Sequence, residues 1–268
     1  MSGRPRDENM SGRPRDENMS GRPRDENMSG RPRDENASGR PRGEDASGGD
    51  GGRREQSPEA IARYYDAALE RHGDTAEGAG WPNEADRVKR FDIMAGLAGD
   101  RLAASTLCDV ACGTGAFLSH LEATGRAPAG YLGVDISPSA IAEARAKLPG
   151  ATFLVRDILA APDPALPQPF DYIVLNGLFT VRAEVSEAAM WDFMTACLAR
   201  LWPFARRGMA FNVMSAVVDW TRDDLFHVPQ DALCAELFRL AGRRVVLRND
   251  YDLYEYTAYV FRDPVSGR

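Results

Sequence analysis

The chain has 268 residues, four cysteines and a formal charge of −7 at pH 7, with 33 Lys plus Arg against 40 Asp plus Glu. That length holds one large domain or two small ones, and the acidic balance argues against nucleic acid as the main partner, since a polyphosphate would be repelled. Cys108, Cys112, Cys197 and Cys234 stand in apolar surroundings without the spacing of a disulfide framework or zinc site, so no metal is expected.

From Met1 the nonapeptide MSGRPRDEN occurs four times without error to Asn36, then decays through ASGRPRGED and ASGGDGGRR to Arg54. Each intact unit has Met as its sole sizeable apolar side chain, which is too little buried surface to offset chain entropy. Solenoid repeats are longer and carry an apolar face of their own. Residues 1–54 are therefore expected to be a disordered tail and 55–268 the folded domain. The tail holds 12 Arg against 11 Asp plus Glu, so the domain carries 21 basic and 29 acidic residues. Its arginines offer weak contacts to an anionic partner, or form a self-neutralising solvated segment. The N-terminus has no apolar signal region, and no stretch approaches the length of a membrane span. A reduced, cytoplasmic protein without membrane attachment is expected. Lys89 and Lys147 are the only lysines against 31 Arg, a bias that points to a GC-rich coding sequence and thus to a bacterium.

In chain order, Ser57-Pro58 supplies a helix cap and first-turn proline, and Ile61, Tyr64, Tyr65, Ala68 and Leu69 recur at helical spacing until Gly73. A polar loop with Trp81-Pro82 leads to Asn83, which can cap a second helix with Val88, Phe91 and Met94 on one face. These make residues 55–100 a helical cap before a core at 101–268. The core alternates: strand 106–112, helix 116–123, strand 131–136, helix from Ser137-Pro138 to Pro149-Gly150, strands 152–158 and 171–175, helix 186–202, strand 208–213 and helix 230–241. Two β-rich runs, 244–248 and 255–261, end it with no helix between them. Alternation predicts an α/β fold with a mostly parallel, doubly wound sheet. The last two strands must pair antiparallel or lie on different edges, because a parallel crossover needs a dozen or more residues. A seven-stranded sheet finished by an antiparallel hairpin is the predicted architecture.

In such a sheet a ligand sits beyond the carboxyl ends of the strands, where their order reverses. The stretch LCDVACGTGAFLSHL, residues 107–121, occupies that place. Gly113 and Gly115 permit a sharp turn and close backbone approach, and the following helix presents free N–H groups. Asp135 lies 20 residues after Gly115 at the tip of the second strand, suited to accept from ribose hydroxyls, and Asp157 ends the third strand in the same manner. A dinucleotide site would prefer Gly-x-Gly-x-x-Gly, and neither frame supplies it: Leu118 stands last counting from Gly113, and Ala111 stands first in the alternative.

The chain resembles the class I S-adenosylmethionine-dependent methyltransferases over about residues 60–263. Leu107 to Gly115 is similar to that family's first motif, with Ala111 where glycine is more common; Gly133-Val134-Asp135-Ile136-Ser137 resembles the second, Val155-Arg156-Asp157-Ile158 the third, and Phe170 to Asn176 the fourth strand. The resemblance implies S-adenosylmethionine as cofactor and S-adenosylhomocysteine as product. It places Ala111, Cys112, Gly113 and Gly115 along the methionine part, with Asp109 near its ammonium or the loop backbone. Asp135 would take both ribose hydroxyls, Ile136 would pack on adenine, Asp157 would accept from the adenine amino group beside Ile158, and Asn176 would face the reacting methyl. The pattern is specific for cofactor and poor for acceptor. Asn176-Gly177-Leu178-Phe179 stands where amino-methylating DNA enzymes carry Asn-Pro-Pro-Tyr, in agreement with the acidic domain.

Candidate acceptor-side residues come from segments that the sheet leaves free: Tyr65, His72, Trp81, Phe179 and Tyr254, as pocket walls. Tyr65 equally suits the core face of an amphipathic helix. His72 is the first choice for a general base, although at a helix end it is better suited to capping of terminal carbonyls; His120 falls on the polar side of its helix, and His227 lies in a loop. The expected function is methylation of an O, N or C nucleophile of a small molecule, in bacterial specialised metabolism. Methylation of a protein or RNA, and cofactor binding without turnover, remain as alternatives, and the oligomeric state is open.

Overall fold

The computed structural model describes residues 58–263; the expected tail and the Ser57 cap lie outside the described residues. Two helices come first, α1 (Pro58–His72) and α2 (Glu84–Ala95), then a 3-10 turn at Gly99–Ala104. The core runs β1 (Thr106–Val110), α3 (Ala116–Ala123), β2 (Gly130–Asp135), α4 (Pro138–Lys147), β3 (Thr152–Val155), β4 (Phe170–Phe179), α5 (Glu187–Leu201), β5 (Ala205–Ser215), β6 (His227–Val228), α6 (Gln230–Ala241), β7 (Val245–Arg248) and β8 (Glu255–Phe261). The sheet order is β3-β2-β1-β4-β5-β8-β7, with β6 paired to β5.

β1 pairs in parallel with β2 on one side and β4 on the other, so the order reverses at β1. β8 inserts antiparallel between β5 and β7, the predicted hairpin ending. The two-residue β6 is an addition to the seven expected strands, too short to show a period in sequence. The strand expected at 152–158 stops at Val155, while β4 and β5 outrun their apolar cores, β4 to Phe179 across a register shift after Leu175.

Caps form where their residue types predict. Asn83 accepts from the Asp86 N–H at 2.9 Å, and Ser137 Oγ from the Ala140 N–H at 3.2 Å. Central strands are buried along their length because helices cover both faces: Met190, Met194 and Leu198 of α5 pack on one side, while Phe91, Met94, Phe117 and Leu121 of α2 and α3 pack on the other. His120 is not simply solvated. Its Nε2 lies 2.9 Å from an Asp92 carboxylate oxygen, drawing α3 to α2.

One polar chain runs through this interior. Arg90 of α2 donates to Glu255 of β8 through Nε and Nη2, both at 2.8 Å. Glu255 Oε1 accepts from Asn212 Nδ2 at 2.9 Å, and Asn212 Oδ1 accepts from the Gly177 N–H at 2.7 Å. Tyr65 of α1 closes the chain by donating to the Gly177 carbonyl at 3.0 Å. Arg90 and Glu255 are 6 % and 2 % exposed, so each charge relies on the other. The Arg90→Met variant, which strands the carboxylate, is expected to lose roughly 3–5 kcal/mol of stability in denaturant unfolding. Arg90→Met/Glu255→Met should recover part of it; equal losses would show that the pair acts through packing alone.

Candidate functional site

At the carboxyl ends of β1, β2 and β4 the chain encloses a cleft of about 370 Å³. Its floor is the turn after β1. Ala111, Gly113 and Gly115 all have positive φ, at 61°, 53° and 75°, so the turn is built in the left-handed region, where Ala111 carries a Cβ penalty that glycine would not. A Cβ at Gly113 would meet nothing within 4 Å, which leaves that side of the backbone open for a ligand. The turn is anchored by Asp135. Its Oδ2 accepts from the Gly113 N–H at 2.8 Å and its Oδ1 from the Ser137 N–H at 2.9 Å, so one carboxylate at the tip of β2 joins both loops. Burial raises the Asp135 pKa against these stabilising N–H groups.

Asp109, at the end of β1, is 2 % exposed and borders the cleft. Burial pushes its carboxyl up to about 7, with the negative Asp135 adding to the rise and the Tyr131 hydroxyl, donating to Oδ2 at 2.8 Å, opposing it. Asn176, from β4, also borders the cleft, and its buried Oδ1 has no hydrogen-bond partner. A buried acceptor left unmet costs stability unless a ligand satisfies it. On the β3 side the walls turn apolar with Ile136, Ile158 and Leu159.

The roof comes from the N-terminal helices. Asp66 of α1 accepts from Ser137 Oγ at 2.5 Å, and Asp74 accepts from Thr114 Oγ1 and Lys147 Nζ, both at 2.6 Å. The Trp81 ring lies so close to Gly177 that a Cβ there would sit 2.6 Å from it. None of these roof contacts has a local signal, because the partners lie 40 to 73 residues apart for the Asp66 and Asp74 bonds.

All residues assigned to the cofactor in sequence border the cleft except Gly115, which faces away toward Leu148 and Phe153. Tyr65 and Trp81 border it as well. His72 does not: it is exposed at the end of α1, where its carbonyl accepts from Thr75 Oγ1. Phe179 is fully buried between Phe193 and Phe211, in the same core cluster as Ile173 and Leu175, with which it shares strand parity. Tyr254 is 49 % exposed and leans on Trp220 outside the cleft. Sequence reasoning passed over Arg87 and Phe193, both of which border the cleft; each falls within an ordinary helical pattern and carries no motif.

A glycine turn opening a helix, an acid at the next strand tip, and an apolar slot beside it define an α/β protein that binds an adenosine-containing ligand. A family model described as a methyltransferase domain matches residues 107–201. The Mycobacterium tuberculosis protein Rv1506c, which carries a methyltransferase name, is 32% identical over 154 residues, 57% of this chain and 90% of that one. Magnesium protoporphyrin IX methyltransferase (ChlM) from Synechocystis PCC 6803, solved with bound SAM, shares the fold with a TM-score of 0.54 at 16% identity, over 77% of this chain and 98% of that one; its SAH-bound form gives 0.51 at 15% identity, over 67% and 84%. The chain belongs to the class I S-adenosylmethionine-dependent methyltransferases. The residues present fit that family's cofactor: Asp135 borders the cleft and, with one N–H accepted at each oxygen, retains acceptor capacity for a diol, while Asp109 and the unmet Asn176 oxygen offer acceptors to an ammonium group.

The Asp109 carboxyl gives the protein a pH signature. A carboxyl raised in the folded state stabilises below its ordinary value near 4, and that contribution disappears as pH rises through about 7. Thermal unfolding of Asp109→Asn without cofactor should therefore show a flatter profile between about pH 4 and 7 and a higher midpoint above it. Superimposable profiles would mean that Asp109 ionises in the fold as freely as in water.

Proposed function

We propose that this methyltransferase acts on a small molecule that arrives at the cleft already nucleophilic or loses its proton directly to water. The observation that carries this is the lining itself: among the described residues no histidine borders the cleft, and in this reading its carboxylates Asp109, Asp135 and Asp157 are committed to the cofactor. Tyr65 spends its hydroxyl hydrogen on the Gly177 carbonyl, and burial raises its pKa. Burial likewise drives the Cys112 thiol well above its ordinary value. The size of the cleft suits a small ligand, and its roof is made by the chain's own α1 and Trp81 loop.

When bound, S-adenosylmethionine supplies a methyl group on a cationic sulfur, open to in-line displacement. This chain's work is then placement. Asp135 holds the ribose, Ile136 and Ile158 flank the adenine with Asp157 at its amino edge, and Asp109 and Asn176 hold the amino-acid end. Ile61, Tyr65 and Phe193 wall the remaining space where the acceptor would lie, and they exclude water from the reacting atoms.

In this proposal residues 55–268 form the catalytic domain of a cytoplasmic bacterial enzyme of specialised metabolism, and residues 1–54 a tail without part in catalysis. The Arg-bearing repeats favour a second reading, methylation of a protein or RNA. Incubating the full chain and methyl-labelled cofactor with fractionated bacterial extract separates them. Label is expected in the metabolite fraction; label confined to protein or RNA would overturn the small-molecule assignment.

Loss of a true general base costs about 10²–10⁴ in rate. His72→Ala is instead expected to leave kcat within about twofold of the unaltered enzyme, and kcat/KM should follow the acceptor's own titration with pH. A hundredfold drop in kcat for that variant would restore His72 as the base.

A further inference from the structure

We infer that Arg87 is the binding residue for the carboxylate of the cofactor's amino-acid end; the inference rests on the cofactor assignment above. The guanidinium of Arg87 stands on α2 and borders the cleft, with its side chain 13% exposed. Nε and Nη2 donate to Glu84 Oε1 at 3.2 and 3.0 Å, and Nη2 also lies 2.9 Å from Glu84 Oε2. Nη1 is different: it is buried and has no hydrogen-bond partner, and its nearest anion, Asp74 Oδ1, is 3.8 Å away. A guanidinium nitrogen removed from water without an acceptor is costly, and a bound anion would relieve that cost.

The charges of the lining identify which anion. Among the described residues six carboxylates border the cleft, on Glu59, Asp66, Asp74, Asp109, Asp135 and Asp157, against two cations, Arg87 and Arg156. Such a site selects a cationic ligand, and any carboxylate on that ligand must find one of the two arginines. With the ribose at Asp135, the flat adenine suits the apolar side formed by Ile136, Ile158 and Leu159. The zwitterionic end must then point the other way, toward Asp109 and Asn176. Arg156 follows β3 on the adenine side and donates to the Pro164 carbonyl at 2.6 Å. Arg87 lies at the opposite end, tied through Asp74 to Thr114 in the glycine turn. Phe91, below the guanidinium at 5.9 Å from its carbon, packs on Phe117 in the first turn of α3. That helix begins at Gly115 without a side-chain cap, so its free N–H groups face the same region and favour negative charge there.

Asp74 has a second part in this arrangement. By accepting from Thr114 and Lys147 it is already neutralised, and those donors, together with Arg87, hold its carboxyl below the usual range against the opposing effect of burial. It therefore orients Arg87 without consuming Nη1.

The test is calorimetric titration of the full chain with S-adenosylmethionine and with its decarboxylated analogue, which keeps the ribose, adenine, sulfonium and amine. The unaltered protein should bind the carboxylated compound about 10- to 100-fold more tightly, the range of a charged hydrogen bond. Arg87→Met should weaken binding of S-adenosylmethionine by that factor while changing affinity for the analogue by less than about twofold. Arg87→Lys, which keeps a charge but not the fork, should recover part of the preference. If Arg87→Met weakens both compounds equally, Arg87 only braces the roof, and the inference fails while the cofactor assignment stands. Unchanged binding of both fails it in the same way. If the unaltered chain binds neither compound, the cofactor assignment itself is overturned, and thermal unfolding of each variant separates these outcomes from misfolding.

Discussion

The site depends on one carboxylate. Asp135 ties the Gly113 amide to the Ser137 amide, and so fixes the turn after β1 against the start of α4 across the gap where a parallel sheet must open. Backbone bonding between β1 and β2 ends with the Cys112 N–H on the Val134 carbonyl at 3.1 Å, and beyond it the carboxylate joins the loops. Asp135 is half-buried, and it meets its need for partners with these two N–H donors. The left-handed turn at Ala111, Gly113 and Gly115 is the backbone shape that delivers the Gly113 N–H to that carboxylate. Loop geometry is thus set by the same two oxygens that hold the ribose in the proposed function.

The roof is fixed by a different device. Arg90, Glu255, Asn212, Gly177 and Tyr65 form a chain of hydrogen bonds from α2 through β8, β5 and β4 back to α1. Gly177 is adjacent to Asn176, so the cleft-facing amide of β4 and both cap helices share one set of constraints. The Arg90 guanidinium also lies over the Trp81 ring, 4.1 Å from its centroid, which holds that indole over the end of β4. A buried ion pair is a poor source of net stability, but here it joins the N-terminal helices to the C-terminal hairpin. The unusual antiparallel ending is therefore part of the site: β8 carries the carboxylate that holds the roof.

Local chemistry made the floor of the cleft legible in sequence. Turn glycines, strand-tip acids and Ser-Pro helix starts each act on residues within a few positions of themselves, so Gly113, Asp135 and Ser137 announce their roles. The roof was less legible because it is made of long-range contacts. Asp66 and Asp74 read as ordinary solvated positions on a helix and loop, and nothing local distinguishes Arg87 from any arginine on an amphipathic helix. Phe179 belongs to a strand that runs past the apolar stretch visible in sequence, and there it alternates onto the core face with Ile173 and Leu175, while Tyr254 is placed by a long-range contact with Trp220. His72 falls on the solvent side of the end of α1, although Leu69 before it and Gly73, Asp74 and Thr75 after it border the cleft.

Electrostatics joins floor and roof. Asp109 and Asp135 line the same poorly solvated cleft, and burial raises both carboxyls. In the proposed function a cationic cofactor favours their charged forms. The same cofactor brings one anion, which an acidic cleft would repel unless a cation were set aside for it. Arg87 meets that need from the roof: Glu84 occupies one edge of its guanidinium, Asp74 stands beyond hydrogen-bond range of the other, and Nη1 is left unspent. Attraction for the ammonium end and accommodation of the carboxylate end are thereby assigned to different layers of the molecule, with Asp109 in the floor and Arg87 in the roof.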